Sequence, residues 1–462
     1  MRWGVFLVIL VLLSTAVAAY ETSFPVKFDD DYFYEWDPKM IESREITNDE
    51  GDCIHIEKSE WVVIKGNHIH DCQATGDRGM DGYAIYIEDV DNLIIENNVI
   101  ENSHRGIYLV NVNHVIIRNN NQTGTYRDAV FSVRNGDDIE IYDNYAKDNG
   151  AQEVVLSVTE GVGEPDGRLQ GIVLWQTSNA EIYGNTVINS SSDGIGIAGA
   201  TKEDPTSRSH NFQIYDNILI ENGEQGIWLE GAQDGEIYDN QILRNKARPG
   251  FGGGSSGIML QYDVQNFEIH DNTIQDNDVC GILIQNSPNN FIYANTITGN
   301  FDGGVCLDGE TVSLPEYTFV SNMNNKIHRN ILKDNKRGNI NILSGENDDT
   351  ELFYNSFDTA EQESIQSRGK ESWKDELILQ ENTYKEENID VEDIEDIEEE
   401  TSAAEDSEED LEEEPLQDAE LITTPEDAEG NPLVAYSLLT LFFVILVVAI
   451  VLFSVRRSIK KK

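Results

Sequence analysis

Glu57 and Glu88 each follow, at two residues' distance, a side chain that can move a proton or stack, His55 and Tyr86. Tyr108 stands at the matching point of a third segment, and Arg105 and Asp128 fall in the turns that lead into such segments. If adjacent strands carry Glu57 and Glu88 at equivalent points, their carboxylates approach to about 5 Å, the inter-strand spacing. That is the separation of the acid and nucleophile in a retaining glycosidase, and the same oxygens could ligate calcium. A Tyr or His beside a cation-neutralised uronate could instead act as the base of a lyase or epimerase. Glu57, Glu88, Arg105, Tyr108 and Asp128 are therefore the candidate catalytic residues, with His55 and Tyr86 as substrate contacts. The bland alternative is a set of solvated charges on an exposed strand surface.

A second group reads as binding. Trp175 and Trp228 offer flat indole faces suited to sugar rings, and Glu230, Gln261 and Asp308 recur in the same strand phase. Glu230 and Asp308 fall three repeats apart, on the order of 14 Å at strand spacing. That is too far for a hydrolytic carboxylate pair.

The elements that must position these residues are repeats. One phrase is Gly-Ile-x-Leu, at Gly106–Leu109, Gly171–Leu174, Gly226–Leu229 and Gly257–Leu260. The other is Ile-Tyr-Asp-Asn or close to it, at Ile141–Asn144, Ile214–Asn217, Ile237–Asn240, Ile269–Asn272 and Ile292–Asn295. Counting from that Asn marks Asn67, Asn97, Asn119, Asn144, Asn185, Asn217, Asn240, Asn272, Asn295, Asn330 and Asn355, with tight intervals of 22 to 25 residues. Period-two alternation broken by Asn and Gly clusters predicts short strands and turns. One such unit has too little apolar surface to fold alone, so units must stack. The expectation is an all-β parallel β-helix of about 11 coils over 51–358, with Asn side chains laddered along it.

Alternation assigns the faces. The outward x row runs His55, Tyr86, Tyr108, Phe131, Val173, Gly196, Trp228, Met259, Leu283, Cys306, and the next runs Glu57, Glu88, Val110, Val133, Trp175, Ala198, Glu230, Gln261, Gln285, Asp308. Insertions at 73–80, 158–168, 200–210, 246–255 and 310–324 flank this sheet and could wall a groove. A separate aromatic row, Tyr142, Tyr183, Tyr215, Tyr238, His270, Tyr293, His328 and Tyr354, reads as stacking that stabilises another sheet.

The combined repeat resembles that of the carbohydrate-binding and sugar-hydrolase domains, within the pectin-lyase-like superfamily. It is similar to the NosD-type β-helix accessory proteins of nitrous oxide reductase, to mannuronan epimerases and to pectin-degrading enzymes. The resemblance implies right-handed coiling and a polysaccharide or other glycan as partner. No complete catalytic motif of the pectin or alginate enzymes is present, so the expectation is polysaccharide binding with processing open, against a structural or adhesive spacer.

The ends carry different signals. Residues 1–19 have the charged, apolar and small-residue layout of a signal peptide. Leu433–Val455 is an uncharged stretch of 23 residues followed by basic 456–462, the pattern of a membrane span with a cytoplasmic tail. Between Glu386 and Glu429 lie 23 acidic residues and no basic ones, within an expected disordered stalk over 386–432. Residues 20–50 and 359–385 are expected as caps, the latter as a cap or last coil. These signals together predict a single-pass protein of the cell membrane with its β-helix outside. The formal net charge of −54 disfavours nucleic acid as a partner. Cys53 and Cys72, at either end of one repeat, could pair in that compartment.

Overall fold

The computed structural model describes residues 38–385, apart from 76–80, 151–169, 200–208, 247–253, 310–311, 315–316, 320–321, 346 and 370. The expected signal peptide, stalk, membrane span and basic tail, all of insertion 158–168 and parts of the other four lie outside the described residues. Among the described residues no helix is long and apolar enough to cross a membrane.

Each coil contributes up to three strands, and the coils pair in parallel, as in Ile172–Trp175 on Ile195–Ala198 and Ser178–Tyr183 on His210–Tyr215. The Gly-Ile-x-Leu strands form what is termed here the first sheet, and the Ile-Tyr-Asp strands the second. Tyr83–Glu96, Arg105–Arg118 and Arg127–Tyr142 run through both without a break, so the two are joined as 22 strands. The third sheet has 12 strands, mostly of three residues, such as Thr186–Ile188 and Ile218–Ile220. Pairing begins at Lys39, and its last strand is Leu377–Gln380. A parallel β-helix is thus the described architecture.

Inward positions of the three sheets meet in one apolar column. Ile107, Phe131, Ile172, Ile195, Ile227 and Ile258 are partners in successive coils and all are fully buried. Burying each such side chain contributes about 1.5–3 kcal/mol. The glycine of the repeat is required by this closeness. A Cβ on Gly226 would stand 2.3 Å from Ile242 Cγ2 of the third sheet and 2.7 Å from the Gly257 carbonyl.

Asn ladders hold the turns. Asn217 donates from Nδ2 to Asn240 Oδ1 (3.0 Å), to the Ile182 carbonyl (2.8 Å) and to the Tyr215 carbonyl (2.9 Å). Its Oδ1 accepts from Asn185 N and Nδ2, both at 3.0 Å. The ladder runs from Asn67 to Asn382, one coil beyond the last expected mark. In two coils its member is the second residue of an Asn-Asn pair: Asn98 and Asn120 are buried, whereas Asn97 and Asn119 sit at φ 55° and 53° in the turn. Asn tolerates that left-handed region, so the expected marks Asn97 and Asn119 are corrected to their neighbours. A second ladder at the turn after the third sheet links Asn222, Asn245, Asn277, Asn300 and Asn335.

On the second sheet the rings from Tyr142 to His328 stack within 3–11° of parallel. The row ends on Phe353, 4.5 Å from His328. Tyr354, expected there, is instead the exposed positive-φ turn residue (φ 55°). Of the two disulfides, Cys53–Cys72 joins the two ends of one coil and Cys280–Cys306 joins adjacent coils.

Candidate functional site

The outer face of the first sheet brings the candidate residues into one strip. His55, Tyr86 and Tyr108 are register partners, as are Glu57, Glu88 and Val110. The next coil corrects the expected rows. Phe131 pairs with Ile107 and is fully buried, so Ser132 and Arg134 take the outward places assigned to Phe131 and Val133. This coil has Val130 where others have the repeat's glycine, and the register shifts between Arg127 and Phe131. A slip of one residue inverts every side chain of a strand.

That correction exposes a residue the sequence reading passed over. The Arg134 guanidinium carbon lies 5.5 Å from the Tyr108 ring centroid and 5.7 Å from that of Trp175. It joins the two candidate groups, which looked separate in the sequence. The signal was there in Phe131-Ser132-Val133-Arg134, whose polar residues alternate.

At the N-terminal end each carboxylate is engaged by its own strand. His55 Nε2 is 3.2 Å from Glu57 Oε1, and its Nδ1 is 2.7 Å from Asp52 Oδ2. Burial alone would lower the His55 pKa, but hydrogen bonds and charge from Asp52 and Glu57 outweigh it and raise it. Tyr86 donates to Glu88 Oε2 at 2.8 Å. Burial, then the Glu88 hydrogen bond, push this phenol's pKa up. The rings of His55 and Tyr86 stack at 4.6 Å, and those of Tyr86 and Tyr108 at 5.9 Å. Arg105 is buried, its guanidinium donating to the Tyr83 hydroxyl and lying over that ring, so it supports the platform from beneath. The side chain of Asp128 lies outside the described residues.

Further along, Trp175 and Trp228 meet edge-on at 6.1 Å. A chain of amides follows. Trp228 Nε1 donates to Gln261 (3.0 Å), Gln261 to Gln285 (2.9 Å), and Gln285 to Asp308 (2.7 Å), which also accepts from Ser344 (2.7 Å). Glu230 stands beside this chain without a donor among the described residues, and burial raises its pKa. Met259, Leu283, Cys280 and Cys306 make a small apolar cluster on the outer face, with Trp228 against it. Trp228 is therefore partly a packing residue, whereas Trp175 keeps a half-exposed ring.

Among the described residues, Glu57 and Glu88 belong to no set of three converging metal-ligand atoms. A depression of about 460 Å³ lies on the second sheet instead, lined by Trp61, His114, Arg118, Asp138, Tyr142 and Tyr183 among others. Its Arg118 is already held by Glu96 and the Tyr142 hydroxyl. The strip, with its row of outward aromatic rings, is the stronger candidate.

Residues 32–163, 83–254, 165–319 and 251–384 match the family described as the right handed beta helix region. Among solved structures the chain is similar to a mutant of the periplasmic alginate epimerase AlgG, at 13% identity and a TM-score of 0.51, over 78% of this chain and 81% of that one. It is also similar to the A-module of the Azotobacter vinelandii mannuronan C-5 epimerase AlgE6, at 12% identity and 0.49, over 75% and 91%. A third is the lacto-N-biosidase of Eubacterium ramulus, at 14% and 0.43, over 70% and 58%. Likeness at such identities speaks to the fold alone. No curated protein matches by sequence.

Proposed function

The chain belongs to the right-handed β-helix family, and from that premise we propose that it binds an extended, neutral polysaccharide along the outer face of the first sheet. The observation that carries this is the continuity of the strip. It runs from the His55–Tyr86–Tyr108 stack through Arg134 and Trp175 to the Gln261 and Gln285 amides and the Asp308 carboxylate. Nine strand steps at about 4.8 Å make it roughly 43 Å long, room for several sugar rings. Aromatic faces suit the apolar side of a sugar ring, and amides suit its hydroxyls.

Charge narrows the ligand. With 86 acidic against 32 basic residues the chain repels polyanions. A neutral glycan meets no such barrier. The likeness to a protein named as an alginate epimerase supports a carbohydrate ligand, but the polar geometry favours binding over turnover. A tyrosine acting as a base needs a lowered pKa, and Tyr86 is shifted the other way. His55 has a carboxylate at both ring nitrogens, which favours the imidazolium. Glu57 and Glu88 are better read as groups that fix the aromatic platform than as a hydrolytic pair.

The signal peptide over 1–19 and the apolar span 433–455 support a cell-surface tether. About 45 stalk residues could reach roughly 150 Å when extended, which keeps the binding face near glycans of its own cell and raises their effective concentration.

The test is glycan affinity of the full chain carrying Trp175→Ala or Arg134→Ala. Each loses one wall of the stacked contact, and affinity should fall roughly tenfold. Unchanged affinity in both variants would remove the strip as the binding face.

A further inference from the structure

The third sheet carries a group that the polysaccharide reading does not use. In strand His68–Cys72, His68 and His70 are two residues apart and project from the same outer face, with Ile69 buried between them. Glu45 of the preceding coil is in register with His68, and Glu101 of the following coil with His70. Each carboxylate crosses diagonally to the other histidine. Glu45 Oε1 is 3.4 Å from His70 Nε2, and Glu101 Oε2 is 3.0 Å from His68 Nε2. The imidazole centroids are 4.4 Å apart. One ligand atom from each of Glu45, His68 and His70 lies within 4.8 Å of the other two. No other such group of three converges among the described residues.

Two features make this a prepared arrangement. His70 Nδ1 is 2.8 Å from Asp71 Oδ2, which holds the ring so that Nε2 faces Glu45. An outer carboxylate of this kind fixes the tautomer and raises the basicity of a metal-bound histidine. Cys72, two residues further, is tied by its disulfide to Cys53, just before the first-sheet strand Ile54–Ser59 of the same coil, which anchors the end of the histidine strand.

We propose that Glu45, His68 and His70 bind one divalent transition-metal ion of the zinc type. Two imidazole nitrogens and one carboxylate oxygen, with water in the fourth place, suit zinc in tetrahedral coordination. Calcium takes six to eight oxygen ligands, so the histidines select against it. The ion takes the place of the proton between His70 and Glu45, and it clamps two successive coils near the N-terminal end of the stack. A solenoid is held only by neighbour contacts and is most exposed at its ends, which gives the clamp a structural purpose.

The experiment is calorimetric titration of the untagged full chain, stripped with chelator, using zinc chloride and in parallel calcium chloride. One zinc ion per chain should bind at micromolar concentration or tighter, above a weak background that both cations share on the acidic segments. His68→Gln and His70→Gln should each weaken that step about 100-fold, and Asp71→Asn roughly 10-fold. All three variants should melt like the parent without zinc, and the zinc-induced rise in melting temperature should vanish in the two histidine variants. Absence of a stoichiometric zinc step would overturn the proposal, as would a step unchanged in both histidine variants.

Discussion

Asn217→Ala puts the ladder that spaces the coils under direct test. Asn217 is fully buried, so nothing from solvent replaces its amide. Truncation takes the donor from the Ile182 carbonyl and the acceptor from the Asn185 backbone N–H. Asn185 Nδ2 keeps its bond to the Ile141 carbonyl, and Asn240 Oδ1 keeps the Asn217 backbone N–H. The Asn185 N–H is left buried without an acceptor and the Ile182 carbonyl keeps only its strand bond, for a loss of about 1–3 kcal/mol. The control is Asn211→Gly, which breaks a bond of similar kind, 2.7 Å to Asn179 Oδ1, in an exposed surface row where water substitutes, at a φ of 64° that glycine adopts without strain. That change should cost under about 0.5 kcal/mol. Calorimetric melting of both variants gives the comparison, and Asn217→Ala should melt several degrees below Asn211→Gly. Equal melting temperatures would refute the assignment of the buried ladder as the element that holds the coils in register.

Phe131→Ala should destabilise by about 3–5 kcal/mol, while Arg134→Ala should change stability by under about 1 kcal/mol; equilibrium unfolding with the reverse ranking would undo the corrected register. Glu230 has its carboxyl pKa raised by burial, so its contribution to stability is complete below the unfolded value near 4.3 and is lost as pH rises through the folded value. Glu230→Gln, a mimic of the protonated form, should therefore melt above the parent at pH 7 and converge with it in acid; a variant less stable than the parent at pH 7 would show an ionic partner for this carboxylate.

The fold was legible because its determinants are local and repeated. Gly-Ile-x-Leu reports a strand whose glycine admits a third-sheet isoleucine, and Ile-x-x-Asn reports a strand ending on a laddered amide. Errors came where a coil departs from the consensus. Asn-Asn pairs at 97–98 and 119–120 offer two candidates for one buried position, and Val130 in place of glycine hid the phase of its strand. The Phe353-Tyr354 doublet straddles the turn, so residue type alone does not say which ring joins the row. The candidate strip was legible by residue type, but Arg134 was lost with the phase of its strand. The His68–His70 group was missed for another reason. His-Ile-His alone specifies two ligands, and the carboxylate that completes it comes from the preceding coil, crossing diagonally in a way that only the three-dimensional register defines.

The most direct test of the polysaccharide account is a glycan-array screen of the full chain across ionic strengths, with product analysis on every hit. The account predicts binding to neutral glycans several rings long, insensitive to salt and with the glycan recovered intact. Binding confined to polyanions and abolished by salt would contradict it, and so would a glycan returned cleaved or epimerised.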